Sequence, residues 1–107
     1  MTAKISLDAI TKAPRFTAKC GEEFEVQVQY SVPVRDCANP SEEEQGKMIR
    51  GLQFELQQKA LTACAENEDC PWFTVVNGDN IEQICGPNNQ GVNVWTSKWN
   101  FTVKCMA

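Results

Sequence analysis

Acidic side chains cluster at residues 42–44, 66–69 and 79–82, where carboxylates on adjoining loops could bind a metal ion. Glu66, Glu68 and Asp69 follow one another closely, and Asp79 stands in the oxygen-rich segment 77–80. Ca²⁺ binds roughly six to eight oxygen ligands, so carboxylates on adjoining loops form a candidate calcium site. The chain has no EF-hand or repeated calcium motif. These four residues are therefore the candidate metal ligands, and we predict no other cofactor.

Two such carboxylates could also act as an acid and a base, as they do in glycoside hydrolysis. A chain of 107 residues leaves no second domain or long insertion to form a substrate cleft. The sequence also contains no histidine. That absence excludes Ser-His-Asp and Cys-His catalysis, histidine metal sites and histidine pH switches. We predict that the protein is not an enzyme.

Aromatic residues near the end of the chain are candidates for stacking on the apolar faces of sugars. Trp99 and Phe101 point inward by strand phase, and we expect them in the core. Trp95 stands beside the polar pair Thr96-Ser97, where we expect a break between strands. Trp95 is therefore the candidate ligand-stacking residue, and carbohydrate is its candidate ligand.

The six cysteines form no Cys-x-x-Cys pair, so zinc-ribbon and thioredoxin motifs are absent. Four of them lie at loop margins and two end alternating runs, which favours at least two disulfides. Cys64 and Cys70 bracket a short loop that a bridge could close, and Cys20 could pair with Cys105. Sequence alone does not select one set of pairs. The candidate disulfide residues are Cys20, Cys37, Cys64, Cys70, Cys85 and Cys105.

Disulfides are typical of oxidising compartments, so we predict an extracellular, cell-surface or virion location. A cytoplasmic protein with reduced thiols is the alternative. Residues 1–8 contain no apolar run, and we expect no signal peptide in this chain. No stretch approaches the ~18 apolar residues of a membrane span, so we predict no membrane insertion.

The net charge of −4 is unevenly distributed along the chain. Residues 1–20 carry +3, residues 21–97 carry −9 and residues 98–107 carry +2. The acidic balance argues against nucleic acid as a partner. If the first and last strands adjoin, their cations form a basic edge that docks on an acidic protein or blocks unwanted strand pairing. The candidate interface residues are Lys4, Lys12, Arg15, Lys19, Lys98 and Lys104.

Alternation of apolar and polar residues is the strongest structural signal. It is clearest over residues 24–30 and 99–105, which predicts half-buried strands of an antiparallel sheet. Shorter candidate strands, separated by turn signals such as Asn77-Gly78, cover residues 3–10, 15–20, 72–76, 81–85 and 92–95. We therefore predict one mainly β domain over residues 1–107. Its expected fold is an antiparallel β-sandwich, immunoglobulin-like or jelly-roll, of about seven or eight short strands.

One segment permits two interpretations. Ser41 and Glu44 form a capping-box pattern, which predicts the start of a helix. The alternation over residues 52–57 favours a short helix near residues 41–47 followed by a strand at about 50–57. The alternative is an α+β fold in which the helix continues over about residues 42–63. That helix would place one apolar stripe together: Met48, Ile49, Leu52, Leu56, Ala60 and Ala63.

These features favour binding or assembly over chemistry. Our leading hypothesis is a non-enzymatic structural or interaction protein, a β-sandwich subunit of a virion decoration, a filament or a surface coat. Its expected partners are copies of itself or other subunits of the assembly. The alternative is a secreted, disulfide-stabilised module that binds carbohydrate or acts as an inhibitor.

Overall fold

A computed structural model describes residues 18–107, which form three strands and one helix. Strand β1 spans Glu23–Pro33, helix α1 spans Glu42–Cys64, strand β2 spans Trp72–Pro87 and strand β3 spans Asn93–Met106. The strands pair antiparallel in the order β1-β3-β2, so β3 is central. Helix α1 covers one face of this sheet, mainly over β1.

The predicted sandwich of seven or eight short strands is wrong, because the described residues form a single three-stranded sheet. Asn77-Gly78 and Thr96-Ser97, predicted as strand boundaries, lie inside β2 and β3. Register shifts at residues 75–77 and 80–82 accommodate the turn-forming residues within β2 as bulges. A turn at residues 88–91 joins β2 to β3, with the Gly91 N–H donating to the Asn88 carbonyl at 3.0 Å. The predicted strand over residues 3–10 lies outside the described residues.

The predicted short helix and following strand are also wrong, because α1 runs through both segments to Cys64, as in the α+β alternative. The predicted capping box is present. The Ser41 N–H donates to the Glu44 carboxylate at 2.8 Å, and the Glu44 N–H donates to the Ser41 hydroxyl at 3.1 Å. Phe54 belongs to the alternating pattern that suggested a strand. It is 59% exposed and is not part of the buried stripe of α1. That stripe comprises Met48, Gly51, Leu52, Leu56, Ala60, Ala63 and Cys64.

The main core lies between α1 and the β1–β3 half of the sheet. Val26 and Val28 of β1 and Val103 of β3 are buried against the helix. The lack of a side chain at Gly51 lets the ring of Tyr30 contact the helix backbone. The opposite face of β1 is exposed and polar, with Glu23, Glu25, Gln27 and Gln29.

Three disulfides join all six cysteines, which confirms the expectation of at least two. Cys64–Cys105 links the end of α1 to β3 in a second small core. Cys20–Cys70 links the segment before β1 to the segment before β2. Cys37–Cys85 links the loop before α1 to the far end of β2. The two specific pairings suggested by sequence position are therefore wrong.

Cys20 and Cys105 are nevertheless neighbours, because their backbones form an isolated parallel bridge. Their sulfur atoms bond to Cys70 and Cys64 instead. Within residues 18–107, no helix has the length and apolar character needed to span a membrane.

Candidate functional site

Helix α1 leaves the β2 side of the sheet uncovered. None of the 16 residues of β2 is buried. Because the helix lies mainly over β1, a groove of about 490 Å³ opens between α1 and β2. Its volume is comparable to that of small-ligand sites, roughly 300–1,000 Å³, but the groove is open to solvent.

Apolar side chains line this groove, which we call the apolar groove. They are Ile49, Leu52 and Leu56 from α1, Phe73 and Val75 from β2, and Trp99 and Phe101 from β3. Gln53 and Gln57 complete the lining, so no charged side chain contributes to it. Exposed apolar surface that contains no charge is characteristic of interaction sites.

Hydrogen bonds and packing hold the aromatic floor of the apolar groove in place. Trp99 and Phe101 stack with their ring centroids 5.7 Å apart and their planes 10° apart. The Trp99 indole N–H donates to the Ser97 hydroxyl at 2.9 Å. The Asn80 side-chain amide donates to the same hydroxyl at 3.3 Å. The Phe101 ring also covers Gly78, where a β-carbon would overlap it. The floor is thus ordered before any partner binds.

The groove ends beside an aromatic pair at the start of β2, in which Trp72 is exposed and Phe73 is half-buried. Trp72 is 52% exposed, and its ring stacks on that of Phe73 with centroids 5.8 Å apart. Since β2 is an edge strand, alternate backbone groups of residues 72–75 face away from the sheet. Both bulges of β2 lie beyond these residues, so this short edge is regular.

A second depression extends the apolar groove toward the other end of the sheet. It has a volume of about 370 Å³ and shares Ile49, Leu52 and Trp99 with the groove. Trp95 lines this extension, where its indole N–H donates to the Gln83 side-chain oxygen at 2.7 Å. Together the two depressions form an elongated cleft along the helix.

The predicted ligand-stacking residue, Trp95, is half-buried and packs against the core. Trp72 is the more exposed of the two rings. A stacking role for Trp95 stays a prediction.

Charged side chains lie on the β1 side of α1 and in the loop that follows the helix. Lys47, Arg50 and Phe54 line a depression on the β1 side, and we call these three residues the cationic knob. Residues 60–97, which include all of β2, contain no lysine or arginine. The same stretch contains five carboxylates: Glu66, Glu68, Asp69, Asp79 and Glu82. Glu66, Glu68 and Asp69 lie in the loop between α1 and β2, which we call the acidic loop, directly before Trp72. Asp79 and Glu82 pair with Asn100 and Lys98 on the sheet face that points away from the helix.

The candidate calcium ligands do not converge. Glu66, Glu68 and Asp69 lie between α1 and β2, whereas Asp79 lies within β2. Across the part of the chain that the structure describes, no three His, Cys, Asp or Glu side chains lie close enough to hold a metal ion.

Only three of the candidate interface cations belong to the described residues. Lys4, Lys12 and Arg15 lie outside the described residues, and Lys19 is exposed beside Cys20. The remaining two, Lys98 and Lys104, lie on β3. Their predicted edge position is wrong, because β3 is hydrogen-bonded to strands on both sides. Their role in an interface stays a prediction.

Sequence reasoning missed both the apolar groove and the cationic knob. The sequence signal for the groove was Ile49, an apolar residue next to the buried stripe of α1. The sheet does not cover it, and it remains 55% exposed. The signal for the knob was the spacing of Lys47, Arg50 and Phe54, which places all three on one helix face. Comparisons of the chain with protein-family models, with curated proteins and with solved structures find no match.

Proposed function

We propose that this protein is a disulfide-stabilised interaction module that binds a protein segment in the apolar groove. The observation that carries the proposal is the groove itself: seven apolar residues from three elements line it, and none of β2 is buried. A monomeric domain rarely exposes continuous apolar surface unless that surface has a partner. The elongated form of the cleft suits a chain segment better than a compact small molecule.

The acidic loop between α1 and β2 defines the chemistry of the partner. A segment with apolar side chains flanked by lysine or arginine would fill the groove and meet the carboxylates of Glu66, Glu68 and Asp69. We propose a non-enzymatic role, and the absence of histidine supports it. The three disulfides support an extracellular or surface location.

The carbohydrate-binding alternative has less support. Trp95 is half-buried and its indole N–H is already engaged by Gln83, so its ring is not presented as an open platform. The more exposed Trp72 stacks on Phe73 at the sheet edge instead.

Selection of peptides from a random display library tests the proposal. Peptides that bind the wild-type protein are counter-selected against Val75→Glu, which places a carboxylate in the groove at a residue already 43% exposed. The matched control is Ile84→Glu, which changes another exposed β2 residue, 56% accessible. Ile84 pairs with Thr96, one position away from the groove face.

We expect the selected peptides to contain apolar residues next to lysine or arginine. Their dissociation constants should rise at least about tenfold with Val75→Glu, and Ile84→Glu should bind them as the wild type does. Selected peptides that bind Val75→Glu and wild type equally would overturn the assignment of the groove as the binding site.

A further inference from the structure

We propose that the partner of the apolar groove is a second copy of this chain, whose cationic knob it binds head to tail. This inference rests on the proposed function and adds the identity of the partner. Phe54 is 59% exposed on α1, and Lys47 and Arg50 lie with it around one depression. Its ring can stack on the Trp99–Phe101 pair that forms the floor of the groove.

Charge complementarity favours this contact over pairing of like surfaces. Two apolar grooves facing each other would bring together two acidic loops, each with Glu66, Glu68 and Asp69. The knob instead presents Lys47 and Arg50, both within two helical turns before its aromatic ring at Phe54. Opposite charges around an apolar contact select this orientation and accelerate encounter.

The positions of the two surfaces make the contact directional. The knob lies on the β1 side of α1, whereas the groove lies on its β2 side. A copy that uses its knob therefore keeps its groove free for the next copy. Such heterologous contacts continue into rings or filaments rather than closing as two-fold dimers.

The neutral walls of the groove also suit this arrangement. The flanking side chains from α1 are Gln53 and Gln57, which carry no charge to repel the cations of the knob. Their amides can accept and donate hydrogen bonds to an incoming helix. Glu66, Glu68 and Asp69 of the acidic loop are exposed and lie outside the lining, where they can attract the cations without being buried.

Mixing two variants tests the direction of the contact. Phe54→Ser disables the knob and keeps the groove, whereas Val75→Glu disables the groove and keeps the knob. Sedimentation velocity of each variant, of the wild type and of an equimolar mixture is measured at increasing protein concentration, up to about 1 mM. Circular dichroism spectra of both variants establish that they fold, and Ile84→Glu serves as the surface control.

We expect the wild type and Ile84→Glu to form species larger than dimers. Each interface variant alone should remain monomeric, and their mixture should form 1:1 dimers only, since one intact knob meets one intact groove. Raising the salt concentration should weaken wild-type association. A monomeric wild type, or a Phe54→Ser variant that assembles like the wild type, would overturn this inference. If groove-dependent peptides are still recovered, the proposed function stands and only the identity of its partner is wrong.

Discussion

The ring of Tyr30 lies against the backbone of α1 at Gly51, in the space that a β-carbon at residue 51 would occupy. We expect Gly51→Ala to lower the free energy of unfolding by about 1–3 kcal/mol through overpacking. This loss should exceed the gain of ~1 kcal/mol from the higher helix propensity of alanine. Urea denaturation followed by circular dichroism measures the change.

Gly46→Ala is the matched control, because a β-carbon there would approach only the flexible guanidinium of Arg50, at 3.2 Å. We expect Gly46→Ala to be neutral or stabilising by up to about 1 kcal/mol. Equal effects of the two substitutions would contradict the role assigned to the Tyr30 contact.

The three disulfides should differ in their contribution because of burial rather than loop length. Their sequence separations are 50, 48 and 41 residues, so each contributes a similar chain-entropy stabilisation of about 4 kcal/mol. Cys64 and Cys105 are at most 1% exposed. We expect the Cys64→Ala/Cys105→Ala double variant to lose about 1–2 kcal/mol more than the Cys20→Ala/Cys70→Ala variant. Guanidinium denaturation measures both losses.

Stepwise reduction offers an independent check of the same difference. Cys20 is exposed, so a thiol reductant should open Cys20–Cys70 before Cys64–Cys105 under native conditions. Alkylation and mass spectrometry at successive times identify the order. Opening of the buried bridge first would show that local unfolding, rather than access, governs reduction.

Ser97 connects β2 to the aromatic floor of the groove and is the only buried polar residue among residues 18–107. Ser97→Ala removes the acceptor of the Trp99 and Asn80 hydrogen bonds. We expect a loss of about 1–2 kcal/mol and a shifted tryptophan emission spectrum. Ser31→Ala is the control, since its exposed hydroxyl bonds that of Thr96 at 2.7 Å. A comparable loss at Ser31 would argue against a special role for Ser97.

Stability should depend on pH through Glu44. Hydrogen bonding from the Ser41 backbone is the main cause that lowers the pKa of this carboxyl, and the Arg35 N–H, at 3.1 Å, adds to it. Because the folded protein favours ionised Glu44, its stabilisation is present above the ordinary pKa of 4.5 and is lost as pH falls through the lowered value.

Glu44→Gln should therefore lower the thermal midpoint at neutral pH, and its difference from the wild type should shrink in acid. Melting curves across this pH range measure the effect. Glu43→Gln is the control, because it removes a carboxylate from the same helical turn without changing the capping box. A difference for Glu44→Gln that stays constant with pH would contradict the capping explanation.

Local signals predicted part of this fold. The capping box at Ser41 depends on residues three positions apart, so the sequence could specify where α1 begins. The alternation in β1 and in the second half of β3 correctly identified both strands. The extent of α1 could not be read in this way. Gly51 fits within the helix because the ring of Tyr30, distant in sequence, packs against it. Phe54 fits because it is exposed to solvent and needs no place in the core.

The number of strands was overestimated for a related reason. Asn77-Gly78 has the composition of a turn, but Phe101 on the neighbouring strand covers Gly78 and the chain continues through a bulge. This cross-strand contact spans more than twenty residues, beyond the reach of local pattern. The site shows the same limit, because its residues come from three elements whose arrangement only the fold determines.

The disulfide spans overlap along the chain, since residues 20–70, 37–85 and 64–105 together leave no gap. A protease that cuts any one peptide bond between Cys20 and Cys105 therefore produces a nicked protein that remains one covalent molecule. Cleavage in the turn at residues 88–91, for example, leaves β3 attached to α1 through Cys64–Cys105. A single break in the backbone between Cys20 and Cys105 therefore leaves every strand covalently attached to the rest of the domain.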